Sequence, residues 1–96
     1  NTLDDMRLSF EMLVKDLLEN NKSLEKQISS LGSRLKDKGV SNELRNMVES
    51  IITYYTKFQN NHVKHNDAVN GNEIEYVIEL TSVMMKYLLK VIGEAK

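Results

Sequence analysis

The residues able to do chemistry are gathered in one stretch, Lys57-Phe-Gln-Asn-Asn-His-Val-Lys-His-Asn-Asp67, which holds both histidines of the chain. Lys57 and Lys64 add cations, and Gln59, Asn60, Asn61 and Asn66 add amide donors and acceptors. No carboxylate occurs from Ser50 to Asn66, so the tract is locally basic although the chain carries a formal net charge of -1. Many donors without a competing carboxylate form the inventory that holds a phosphate or a nucleotide. Each residue also has a plainer reading. His62 lies four residues after Phe58 and continues an apolar face, as a partly buried histidine at the end of a core stripe would. The asparagines, with Asn70 and Asn72 beyond them, favour turns and caps because their side chains compete for backbone groups. His62 and His65 share a helix face, and with Asp67 or Glu73 they outline a metal site. The spacing is loose and there is no third histidine, so no metal is expected, and no other cofactor is indicated.

The elements that must position this tract are helical. Four glycines and no proline leave few breakers in 96 residues, a length that suits one domain and not two independent cores. Thirteen basic residues against fourteen acidic ones give no global field for non-specific nucleic-acid binding. The absence of cysteine excludes disulfides, thiolate catalysis and thiolate metal sites, and suits a reducing cytoplasm. No apolar run approaches the ~18 residues of a membrane span, and no basic-then-apolar leader opens the chain. A chain that begins at Asn1 rather than Met reads as a piece of a longer protein, with a further domain elsewhere.

In chain order, Thr2 and Asp5 form a capping-box-like pair, followed by Leu3, Met6, Phe10, Leu13 and Leu17 at three- and four-residue steps, with Val14 and Leu18 widening the stripe. An amphipathic helix is predicted to about Asn20. Asn20-Asn21-Lys22-Ser23 is either a joint or the solvent face of one long helix. Leu24, Ile28, Leu31 and Leu35 resume the stripe with a shifted phase, the mark of a four-residue stutter, which favours a continuous or kinked helix to about Lys38. Gly39 ends it, and Ser41 or Asn42 caps the next helix. Leu44, Met47, Val48, Ile51, Tyr55 and Phe58 are its predicted buried face. Val69-Asn70-Gly71 signals a turn, and Asn72 with Glu75 reads as the capping box of the last helix. That helix is apolar at Ile74, Val77, Ile78, Thr81, Met84, Met85, Leu88, Val91 and Ile92, extended by Leu80 and Val83, and Gly93 closes it. The expected fold is all-α, an antiparallel up-and-down bundle of three to four helices.

The run Gln59-Asn-Asn-His-Val-Lys-His65-Asn66 resembles the signature of HEPN-type helical domains, an arginine, a polar residue, a short spacer and a histidine. It is most similar to C-terminal domains of bacterial abortive-infection and related phage-defence proteins. There the histidine is followed by a turn, an acidic helix start and an apolar last helix, and here Lys64-His65-Asn66-Asp67 and then Glu73-Ile-Glu-Tyr-Val-Ile-Glu-Leu-Thr81 keep that order. The resemblance covers about residues 40–92. In active members the arginine and histidine of two subunits meet at a dimer interface and cleave RNA without a metal. By position His65 matches the histidine and Asn60 the polar residue, while Gln59 stands where the arginine belongs. A neutral amide cannot stabilise a phosphorane as a guanidinium does.

The resemblance therefore implies a HEPN-like fold and a non-catalytic module of a bacterial or phage-related defence protein. Such a module binds a nucleotide, RNA or a partner chain through Lys57, Gln59, Asn60, Asn61, His62, Lys64, His65 and Asn66. The alternatives are a metal-independent ribonuclease with His65 as general acid/base, and a plain dimerisation domain. The last helix carries more apolar surface than its neighbours can cover, so a homodimer built on the first or last helix is expected.

Overall fold

The computed structural model describes residues 2–58 and 70–93, which form helices joined by short turns, with no strand among them. Helix α1 spans Thr2–Leu18. A 3-10 turn, Leu24–Gln27, runs into α2, Ile28–Asp37. Helix α3 spans Asn42–Phe58 and α4 spans Gly71–Leu88, which ends in a π-helical turn, Leu89–Gly93. The expected all-α bundle is what forms, with four α-helices among the described residues.

The chain breaks between α1 and α2, where a continuous or kinked helix was favoured. Glu19 takes the left-handed conformation, with φ 56°. The Asn20 amide reaches back to the Lys15 carbonyl at 3.1 Å and the Glu19 amide to Asp16 at 3.3 Å. That pair of bonds is the Schellman stop, here built on a glutamate instead of the usual glycine. Polar side chains then hold the reversal. The Gln27 side chain is fully buried and its amide donates to Asn20 Oδ1 at 2.6 Å and to the Lys22 carbonyl at 3.1 Å, while Asn20 Nδ2 donates back to Gln27 Oε1 at 3.1 Å. Glu11 reaches across from α1 to accept the Leu24 amide at 3.1 Å, capping a helix to which it does not belong. Arg7 and Lys15, each 3.3 Å from the Glu11 carboxylate, complete the cluster.

The second stop is the expected one. Gly39 has φ +83°, its amide bonds to Lys36 and the Val40 amide to Leu35, both at 3.0 Å. Val40 then packs against the core. Ser41 Oγ accepts the Leu44 amide at 3.2 Å, the expected cap of α3. The last helix opens two residues earlier than the predicted capping box. Asn70, and not Asn72, is its cap, accepting the Asn72 and Glu73 amides at 2.7 and 3.4 Å.

Helix α1 lies on α4 and α2 lies on α3. Phe10, Val14 and Leu17 meet Leu24, Leu31 and Leu35, Val48, Ile52 and Tyr55, and Leu88 and Ile92 in one core. Phe10 and Tyr55 meet edge-on, ring centres 6.3 Å apart. Thr81 is buried among them. Its hydroxyl donates to the Val77 carbonyl at 2.7 Å, which leaves its oxygen to accept the Tyr55 hydroxyl at 2.6 Å. The α3 face is Val48, Ile51, Ile52 and Tyr55. Met47, expected inside, is 56% exposed, because it sits about 90° round the helix from that stripe.

Candidate functional site

Of the tract singled out in the sequence, the structure describes Lys57, exposed in the last turn of α3, and the backbone of Phe58, which ends that helix. Gln59, Asn60, Asn61, His62, Lys64, His65 and Asn66 lie outside the described residues, as does Asp67. The helices on either side of the tract are tied together. The Tyr54 hydroxyl, near the end of α3, donates to Glu73 Oε2 in the first turn of α4 at 2.6 Å. Burial and the neighbouring Glu73 carboxylate both hold the Tyr54 phenol above its ordinary pKa, so it stays a donor. Glu73, one of the two carboxylates considered as metal ligands, thus serves as this acceptor. No group of three or more metal-ligating side chains gathers among the described residues. No described helix is long and apolar enough to cross a membrane.

A second surface stands out on α4, and it is built by two apolar series on one helix. Val77, Thr81, Met84, Leu88 and Ile92 face the core and are buried. One step round the helix, Tyr76, Leu80, Val83 and Tyr87 recur at four-, three- and four-residue spacing, the rhythm of a seam between paired helices. Tyr76 and Val83 are 64% and 63% exposed. Helix α3 adds Leu44 and Met47 alongside, and with Val48, Leu80, Val83, Met84 and Tyr87 they line a cleft of about 230 Å³ without a charged wall. The cleft exists because α3 and α4 approach each other less closely than α1 approaches α4 or α2 approaches α3.

Charge along α4 is segregated. Glu73, Glu75 and Glu79 occupy its first half, and Lys86 and Lys90 its end. On α1 the comparable exposure is limited to Leu8 and Met12. The excess apolar surface of α4 was visible in the sequence through Leu80 and Val83, but Tyr76 and Tyr87 were not counted with it, and Met47 was assigned to the buried face of α3. The missed signal was a second three-four series offset by one residue from the first.

Compared with known protein families, curated proteins and solved structures, the chain matches none.

Proposed function

We propose that this chain is a non-catalytic, HEPN-like binding module that works as a homodimer joined through α4. The 57–67 tract of each copy would be its surface for a nucleotide or RNA, in a bacterial or phage-related defence protein. The observation that carries the dimer is the outward seam of Tyr76, Leu80, Val83 and Tyr87, more than half exposed at two of its four positions. Burial of such a seam against its own copy gives a closed, two-fold interface. The charge segregation selects an antiparallel arrangement: with the two-fold axis near Val83, Glu79 of one copy lies beside Lys86 of the other.

That arrangement bears on catalysis. Asn70, from which the tract leads, lies about 20 Å along the helix from Val83 at 1.5 Å per residue, so the two copies of Asn70 stand about 40 Å apart. With the starts of α4 so far apart, the arrangement does not favour a composite site shared by the two copies, and Gln59 in the arginine position supplies no cation. Both considerations favour binding over turnover, with Lys57 and Lys64 as the charges that meet phosphate.

Charge reversal tests the interface. Sedimentation velocity is expected to show Glu79→Lys dissociating the dimer and Glu79→Lys/Lys86→Glu restoring it. Equal behaviour of single and double variants would reject the antiparallel seam. A polynucleotide titration over a salt series tests the ligand: His65→Ala and Lys64→Ala should weaken binding, which no affinity at low salt would refute. Metal-independent RNA cleavage by pure protein, lost in His65→Ala, would replace this reading with the ribonuclease.

A further inference from the structure

Away from α4, between α2 and α3, lies a half-open recess of about 170 Å³ whose lining includes Gly32, Asn42, Arg45, Asn46 and Glu49. Its floor is aliphatic, with Leu31, Leu35, Val48 and Ile52 all buried. Its rim is polar, with Arg45 between two asparagines in the first turns of α3.

Gly32 is the informative residue. It lies inside α2, where glycine costs about 1 kcal/mol relative to alanine. Such a glycine usually answers to backbone conformation or to close packing. Neither applies here. Its φ is not in the left-handed region, and a β-carbon built on it meets nothing within 4 Å. What the missing side chain leaves is the opening of the recess.

Arg45 is the second observation. Its Nη2 reaches Asn42 Oδ1 only at 3.5 Å, and its Nε is buried without a hydrogen-bond partner. The Nε is sealed from solvent, but the Nη edge, held only by that long contact, can meet a carboxylate through charge-assisted bonds. The adjacent N-terminus of α3 favours the same sign of charge. Glu49, the one acid on the rim, is exposed one turn further along α3 and opposes an anion from that side.

We infer that this recess binds a small carboxylate with a compact apolar body, the body on the aliphatic floor beside Gly32 and the carboxylate on Arg45. The size is suitable, since an engineered aliphatic cavity of about 150 Å³ takes up benzene. For a ligand of about nine non-hydrogen atoms, a Kd on the order of 1 mM is expected.

The test is a ¹⁵N-edited NMR titration of the intact chain with benzoate and hexanoate, using benzyl alcohol and 1-hexanol as uncharged counterparts. Saturable shifts are expected at Gly32, Arg45 and their neighbours, with the acids binding at least tenfold more tightly than the alcohols. Arg45→Gln should remove that preference, and Glu49→Gln should strengthen acid binding about twofold or more. Gly32→Leu should abolish binding by filling the recess. Should that variant fail to fold, Gly32→Ala, which places one methyl in open space, should stay folded and still weaken binding severalfold. Absence of saturable shifts, equal binding of acids and alcohols, or indifference to Arg45→Gln would overturn the inference.

Discussion

Glu11 shows how one side chain can set the path of the backbone. It is only partly exposed, and burial alone would push its carboxyl pKa up. The Leu24 amide, Lys15 and Arg7 outweigh that and hold it below the ordinary value. A carboxyl whose folded pKa is lowered adds stability that is fully present above its unfolded pKa, about 4.3, and that is lost as pH falls through the folded value. Urea midpoints measured from pH 7 to pH 3 should therefore decline below about pH 4.3, and the decline should be shallower in Glu11→Gln. The Tyr55–Thr81 pair makes a second residue-scale case. Thr81→Val strands a buried phenol hydroxyl and should cost about 1–3 kcal/mol, whereas Tyr55→Phe should cost about 1 kcal/mol. Removing both groups leaves no orphan, so the double variant should lose less than the sum of the single losses, as a double-mutant cycle would register.

At the scale of elements, the stop of α1 is the sharpest result. The sequence showed no glycine or proline between Leu17 and Ser23, so the amphipathic stripe read as continuous through a stutter. Its real end depends on Glu19 in a left-handed conformation and on partners that are distant in the chain, Gln27 for Asn20 and Glu11 for Leu24. A local pattern cannot show such bonds. By contrast Gly39, Ser41 and the apolar rhythm of α4 act locally, and each was legible. The cap of α4 was half legible, since Asn70 and Asn72 are chemically alike and only geometry chooses between them. The polar tract stood out by composition alone, and beyond Phe58 its geometry lies outside the described residues.

The joint makes opposite predictions from a continuous helix. Glu19→Gly should leave stability unchanged or raise it by up to about 1 kcal/mol, where a helix interior would lose about 1 kcal/mol. Ser23 has φ -64° and ψ 160°, values proline adopts, so Ser23→Pro should be nearly neutral. Ser33→Pro, inside α2, should cost about 3 kcal/mol or more. Denaturant midpoints of the three variants check this directly.

For the whole molecule, the division of labour lies in the two apolar series of α4. One closes the core with α1, and the other is left facing outward beside the α3–α4 cleft. The Tyr54–Glu73 hydrogen bond ties the end of α3 to the start of α4, about 15 Å along the helix from Val83. The recess between α2 and α3 lies on a different pair of helices. Assembly, tract and recess should accordingly respond to separate substitutions, with Val83→Lys affecting neither the pH dependence set by Glu11 nor carboxylate uptake beside Arg45.

Assembly through the α4 seam is tested most directly by multi-angle light scattering of wild type and Val83→Lys at tens of micromolar. Val83 is 63% exposed, so the substitution should leave the helical circular dichroism intact. Wild type should scatter at twice the 11.1 kDa chain mass, and Val83→Lys at the single-chain mass. A wild-type chain that runs as an 11.1 kDa species, or a Val83→Lys variant that remains dimeric, would contradict the account.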